Sequence, residues 1–402
     1  MTIGINGYEA VVPRFGYDPK TGMPSRVGSG EYCFELLLNL NKLDKKNNYI
    51  IYLPQSPTSD LPKESEKWRY NIVKPRKAWT LFGLSLEFLL KRSKPDVFFS
   101  PTHYLPIFSP KKSVISILDV SYLRFPQLFK KSDLQQLTIW TKFSVKKAKK
   151  VFTISQASKD DIIEEYGVSK DKIIVTYPGI KSEIQNLKSE TNSKFKMQNS
   201  KLLSGKYGIN GEYVLFVGTL QPRKNIARLI EAFSRACHPE LVSGSQSSRD
   251  SDLRQNDMSL VIIGKKGWQY EEILSAPKRF NIENKVKFLE NVTDEDLSSF
   301  YKNALCFILP SLYEGFGLPV LEAMQYGCPV ITSNVSSLPE AGGDAALYVD
   351  PLSVDDITKK LELIIRDEGL REKLIKKGYE RVRKFSWEKT ARETLRALES
   401  IK

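Results

Sequence analysis

Two carboxylates with seven residues between them, Glu314 and Glu322, flank a glycine-bearing turn in the stretch Pro310-Ser311-Leu312-Tyr313-Glu314-Gly315-Phe316-Gly317-Leu318-Pro319-Val320-Leu321-Glu322-Ala323-Met324. The apolar Leu305-Cys306-Phe307-Ile308-Leu309 ahead of it reads as a buried strand. Pro319 suits the first helical position, where its missing N–H would be unpaired anyway, and Gly327 followed by Pro329 ends the helix. Gly315, Phe316, Gly317 and Leu318 then sit where backbone N–H groups point outward and the helix dipole favours an anion. A diphosphate fits such a turn, with Glu322, in the first helical turn, left to accept hydrogen bonds from sugar hydroxyls. The plainer reading of either glutamate alone is a first-turn acid complementing the helix dipole.

A second cluster, Gly218-Thr219-Leu220-Gln221-Pro222-Arg223-Lys224-Asn225, follows a strand and opens a helix. Adjacent Arg223 and Lys224 at a strand's end supply positive charge to a diphosphate without a metal; the alternative is a solvated basic pair in a loop. Gly28-Ser29-Gly30 precedes the first long helix, with an ordinary helix start as the default. It is not a dinucleotide fingerprint, since the third glycine is missing. His103 and Asp119 each lie just after a probable strand, where α/β sheets place their sites. The strings Asp294-Glu295-Asp296 and Asp250-Ser251-Asp252 invite a metal reading. A Thr293–Asp296 capping pair accounts for the first, and the second falls in an insertion, so no metal is expected.

The carboxylate stretch, continued through Gly327-Cys328-Pro329-Val330-Ile331 and Ser336-Ser337-Leu338-Pro339-Glu340, resembles almost residue for residue the signature of glycosyltransferase family four. These are retaining, nucleotide-sugar-dependent enzymes of GT-B architecture: two doubly wound α/β Rossmann-like domains facing a central cleft. The resemblance implies that Arg223 and Lys224 bind the donor phosphates, with Gly218 and the N-terminal glycine loop at Gly30 close by. It implies that Glu314 faces the donor sugar and Glu322 holds the ribose. The loops at Gly264-Lys265-Lys266 and Asn291-Val292-Thr293 would line the base pocket. The leaving phosphate would take the acceptor proton on the same face, so no carboxylate nucleophile and no cofactor beyond the donor is required. The family usually shows His-Asp where this chain has Leu118-Asp119. Whether His103 replaces that imidazole stays open, and Asp119 is a candidate for positioning the acceptor. Ser100-Pro101-Thr102-His103-Tyr104-Leu105-Pro106 and Leu123-Arg124-Phe125-Pro126 resemble mannosyl-transferring members, which points to a guanosine-linked mannose donor and bacterial polysaccharide or lipopolysaccharide assembly. A nucleotide-sugar epimerase of the same shape and a non-catalytic nucleotide-sugar-binding protein are the competing readings.

Alternating strand and helix patterns fit parallel α/β units. The expected division is a Rossmann-like acceptor domain over 1–180, a polar linker over 181–211, a nucleotide-sugar domain over 212–384 and a last helix over 385–402 that crosses back. The first domain's strands are expected at Thr2–Asn6, Tyr49–Leu53, Val97–Ser100, Val114–Leu118, Val151–Ile154 and Ile173–Tyr177. Residues 238–258, rich in Ser, Asp, Arg and Gln, read as a disordered insertion, and 12–27 as a long loop.

Four scattered cysteines and two histidines suggest neither a disulfide framework nor a zinc site. With no secretory signal visible and Leu81 to Leu90 too short to span a bilayer, a cytoplasmic protein is expected. A net charge of +14 favours anionic partners, and the lysines at 142, 146, 147, 149 and 150 read equally as helix C-terminal complements or as peripheral footing on an anionic membrane. No nucleic-acid module accompanies the charge.

Overall fold

The computed structural model describes residues 1–13, 16–17, 22–26, 28–74, 78–91, 94–181, 202–237 and 258–401. The expected insertion falls almost wholly outside them, with His238, Asp250 and Asp252, as does much of the expected linker. The chain divides into two compact units, Met1–Gly179 with Phe385–Lys402, and Ile180–Lys384.

The first unit is built on seven parallel strands: β1 (Thr2–Asn6), β2 (Asn48–Leu53), β3 (Trp68–Ile72), β4 (Val97–Ser100), β5 (Ser113–Ser116), β6 (Lys150–Thr153) and β7 (Ile173–Val175). Their order across the sheet is β3-β2-β1-β4-β5-β6-β7. Strands β4 and β5 are buried along their whole length, as the continuous apolar runs of a helix-covered parallel sheet require. Phe88 packs edge-on to Phe98 at 4.9 Å and Tyr52 to Phe88 at 5.2 Å within one apolar core. Strand β3 has no counterpart in the sequence-based reading. It is an edge strand whose Arg69 is exposed, so the sequence shows no apolar run there. The strand expected at Val114–Leu118 is β5, which ends at Ser116 and so puts Leu118 and Asp119 in the following loop.

The last helix, Trp387–Glu399, belongs to this first unit. Trp387 meets Tyr32 of the helix Ser29–Leu43 at 6.0 Å between ring centroids. Thr390 Oγ1 donates to the Tyr177 carbonyl (2.6 Å), and Asn47 Nδ2 to Glu399 Oε1 (2.9 Å).

The second unit holds six parallel strands: β8 (Tyr213–Val217), β9 (Ser259–Ile263), β10 (Val286–Leu289), β11 (Cys306–Leu309), β12 (Val330–Ser333) and β13 (Ala346–Val349). The order is β10-β9-β8-β11-β12-β13. Chain order therefore reverses between the adjacent β8 and β11. Connections leave these two strands toward opposite sides, opening a crevice at their carboxyl ends. The Gly218–Asn225 and Pro310–Gly317 segments are the loops that leave there.

The lysine cluster is partly consumed by the fold. Lys147 Nζ binds the carbonyls of Pro106 and Ile107, and Lys150 Nζ the Asp171 carbonyl at 2.6 Å. Lys142, Lys146 and Lys149 stay exposed. Among the described residues no helix is long and apolar enough to cross a membrane.

A Cβ on Gly179 would sit 2.0 Å from the Trp387 amide nitrogen. Gly179→Ala is therefore expected to dislodge the last helix and lower unfolding free energy by roughly 3 kcal/mol. Chemical denaturation checks this; an unchanged midpoint would show that the helix is not seated so closely.

Candidate active site

The loop after β8 is shaped by backbone crowding. A Cβ on Gly264, the first residue after β9, would lie 1.9 Å from the Gly218 carbonyl oxygen, so two strand ends touch where both residues lack side chains. The Leu220 amide donates to the Lys265 carbonyl (2.9 Å) and the Gly267 amide to the Leu220 carbonyl (2.9 Å), locking the two loops. Pro222 opens a single 3-10 turn over Pro222–Lys224, and Asn225 closes it in the left-handed region at φ 61°. Asn225 Nδ2 then donates to the carbonyls of Pro310 (3.0 Å) and Pro351 (2.7 Å). The Leu312 amide donates to the Arg223 carbonyl (2.9 Å), so the β8 and β11 loops form one frame.

Glu314 lies inside that frame. Its Oε1 accepts from Lys224 Nζ at 2.5 Å and from Ser311 Oγ at 2.6 Å, and its Oε2 from Arg223 Nη1 at 3.2 Å. Arg223 also donates to the Tyr313 carbonyl. The backbone carbonyl of Glu314 accepts from Ser336 Oγ (2.6 Å) and Ser337 Oγ (2.8 Å). The side chains of Arg223, Lys224 and Glu314 are each no more than 13% exposed. Burial pushes the Glu314 carboxyl upward, but the Lys224 and Arg223 charges and the Lys224 and Ser311 hydrogen bonds outweigh it and bring the pKa to about 2. These three side chains together carry one net positive charge.

Beyond Glu314, buried Gly315 and Phe316 lead into Gly317, the N-cap of the helix Leu318–Gln325, at φ 102°. A Cβ there would press on Leu338 Cδ2 at 2.7 Å. Pro319 occupies the second helical position rather than the first, and the first turn holds no acid. Glu322 accordingly lies in the second turn, not the first, and neither glutamate is a dipole-complementing first-turn acid. Glu322 Oε2 accepts from Tyr301 Oη at 3.1 Å, and the buried Tyr301 ring stacks on Tyr326 at 5.7 Å.

Of the residues expected to serve the site, Gly218, Arg223, Lys224, Gly264, Glu314, Gly315, Phe316, Gly317, Leu318 and Glu322 lie on β8, β9 and β11 loops or the helix that β11 feeds. Val292 follows β10, half-buried, next to Asn291 at φ 58°. Thr293 caps the helix Asp294–Asn303 by accepting from the Asp296 amide, and Asp296 Oδ2 accepts from Lys206 (2.5 Å) and Tyr207 (2.6 Å). Among the described residues no three His, Cys, Asp or Glu side chains gather as metal ligands.

Gly30, His103 and Asp119 belong to the first unit. Gly30 lies in the first turn after the N-cap Gly28, with the Glu9 carbonyl 3.1 Å from where a Cβ would be. His103, half-buried after β4, has Tyr104 and Tyr122 rings at 6.3 and 6.1 Å. Asp119 Oδ1 accepts from the Ser121 amide (2.9 Å) and hydroxyl (2.6 Å), which orders the turn Ser121–Arg124. Sequence reasoning missed Tyr301, Ser311 and Asn225 as site residues. Ser311 has a signal, three residues ahead of Glu314; Tyr301 has none, because its partner comes from a different helix.

Two family models match the chain: one described as glycosyl transferases group 1 over residues 201–381, the other as glycosyltransferase family 4 over residues 28–183. The O-antigen chain mannosyltransferase B of Escherichia coli is 29% identical over 92% of this chain and 95% of its own length. A serotype-specific mannosyltransferase of the same organism, WbdA, is 29% identical over 61% of this chain, which spans 28% of that protein. The crystal structure of WaaG, a glycosyltransferase involved in lipopolysaccharide biosynthesis, superposes with a TM-score of 0.68 at 16% identity, covering 100% of this chain and 99% of that one.

The Glu314 carboxyl has a folded pKa near 2 against an ordinary 4.5. Its contribution to stability is fully present above 4.5. It declines as pH falls toward 2, because the unfolded chain takes up a proton that the folded chain refuses. The full contribution is about 3 kcal/mol. Denaturation midpoints between pH 6 and 3 should therefore fall more steeply for the wild type than for Glu314→Gln; parallel curves would contradict the ion-paired geometry.

Proposed function

The chain belongs to the group 1 glycosyltransferases of family four, and we propose that it transfers a mannosyl residue from a nucleoside diphosphate to a saccharide hydroxyl on a lipid-linked, cell-surface glycan, with retention. The observation that carries this reading is the Arg223–Lys224–Glu314 cluster at the reversal point between β8 and β11. Mannose is supported by the near-full-length likeness to an O-antigen mannosyltransferase. A position on the cytoplasmic side, in peripheral contact with an anionic membrane, is part of the same reading.

Breaking the bond between sugar and diphosphate leaves negative charge on the departing oxygens. In a cleft with little water, fixed cations stabilise that charge more than they would in bulk solution. Lys224 Nζ and the Arg223 guanidinium supply those cations, and the start of the helix Leu318–Gln325 adds its positive end. Glu314 serves this arrangement by holding both cations in place before the donor arrives, so that little conformational freedom is lost on binding. With two cations on the diphosphate the reaction needs no metal and no cofactor. Glu322, one turn beyond Leu318, lies along the helix where a ribose would follow the diphosphate, and Tyr301 fixes its carboxylate. The acceptor proton passes to the departing phosphate oxygen that Arg223 and Lys224 keep in place.

Lys224→Ala is expected to lower kcat for nucleoside-diphosphate release by roughly ten- to a thousandfold. The measurement is release from a guanosine-linked mannose donor with acceptor present, and an unchanged rate would remove Lys224 from the mechanism. Tyr301→Phe is expected to weaken nucleoside-diphosphate binding about fivefold while leaving kcat nearly unaltered, since one neutral hydrogen bond orienting a carboxylate is lost. Calorimetric titration alongside turnover checks the split; equal affinity would detach Tyr301 from nucleotide recognition.

A further inference from the structure

The first unit carries an apolar stripe that nothing among the described residues covers. Along Phe82 and the helix Leu84–Leu90, the side chains of Leu84 and Phe88 are buried, whereas Phe82, Leu86, Leu89 and Leu90 are 50, 46, 56 and 76% exposed. Spacings of three and four place these on one face. Phe108, 55% exposed, lies beside them, because the Ile107 amide donates to the Leu81 carbonyl (3.4 Å) and the Phe108 amide to Ser85 Oγ (3.2 Å). A contiguous exposed patch of this kind marks an interaction surface.

The charge around the patch selects its partner. Lys111 and Lys112 are exposed three and four residues past Phe108, and residues 97–118 contain no acid. Lys147 reaches the Pro106 and Ile107 carbonyls and so brings a third lysine to the segment that carries Phe108. The one acid of the short helix, Glu87, is occupied by Asn71 Nδ2 (2.5 Å) and Lys91 (2.5 Å). Apolar tips rimmed by lysines suit an anionic lipid surface, where acyl and phosphate groups meet both demands at once. A second copy of the chain suits it poorly, since a two-fold contact sets each lysine rim against itself.

We propose that Phe82, Leu86, Leu89, Leu90 and Phe108 seat the first unit on an anionic bilayer, with the surrounding lysines on lipid phosphates. This rests on the lipid-linked acceptor reading for its purpose, but not for its measurement. The full chain is centrifuged with vesicles of phosphatidylcholine and phosphatidylglycerol, and with phosphatidylcholine alone. Wild type is expected to sediment with the anionic vesicles and to be released by salt. Leu89→Glu combined with Leu90→Glu is expected to lose at least tenfold in binding while keeping its melting temperature, both sites being exposed.

As a second measurement, a Leu90→Cys variant takes a polarity-sensitive dye selectively, because all four native cysteines are buried. Its emission should shift to the blue on anionic vesicles. Wild-type protein left in solution, a double variant that binds undiminished, or dye emission that stays unshifted overturns the proposal. So does a double variant whose only change is lost self-association in sedimentation velocity. Nucleoside-diphosphate release with a water-soluble acceptor, run in parallel, should be equal in wild type and double variant. A failed transfer reading would leave the vesicle result standing, and a failed vesicle result would leave transfer intact.

Discussion

One buried carboxylate holds the site together. Glu314 stands 2.5 Å from Lys224 and 3.2 Å from Arg223, and without it two cations would face each other in a desolvated loop. Buried ion pairs are poor sources of stability, since well-packed apolar residues often do as well. In the proposed donor-binding role their retention meets a different demand: cations kept ready for an anionic ligand need a counter-charge while they wait. The serines at 311, 336 and 337 satisfy the carboxylate and its backbone, and Asn225 ties the two loops that carry the charges. The contacts of Arg223, Lys224 and Asn225 follow from β8 and β11 being neighbours with oppositely directed connections, and those of Ser336 and Ser337 come from the segment after β12.

Much of this was legible in the amino-acid sequence. Strands such as Cys306–Leu309 are apolar on both faces, so their burial follows from residue type alone. The glycine turn and the Arg223–Lys224 pair could be placed because each sits at a strand-to-helix junction marked by Gly or Pro. What stayed hidden depends on tertiary neighbours. Strand β3 carries polar residues at a sheet edge and joins the sheet through backbone pairing to β2, which no side-chain pattern announces. Glu322 was placed a turn too early because helix starts shift by a residue or two, and Gly317 rather than Leu318 takes the cap. Tyr301 was invisible because its hydroxyl reaches Glu322 from a different helix.

Glycine does two separate jobs in the second unit. At Gly317 it supplies a positive φ that starts the helix; at Gly264 it removes a side chain that the Gly218 carbonyl would otherwise strike. The first sets the direction in which the helix Leu318–Gln325 leaves the loop, and the second brings the Leu220 and Lys265 backbones within hydrogen-bonding distance. The basic excess of the chain is likewise divided. Arg223 and Lys224 are buried and counter-charged, Lys147 and Lys150 bind carbonyls, and Lys111, Lys112, Lys142 and Lys146 remain exposed at the surface.

The most direct measurement is a crystal structure of the chain with a nucleoside diphosphate bound. Phosphate oxygens should lie about 3 Å from Lys224 Nζ, from the Arg223 guanidinium and from an amide between Gly315 and Leu318. A diphosphate found elsewhere, with Lys224 and Arg223 still directed only at Glu314, would contradict the account.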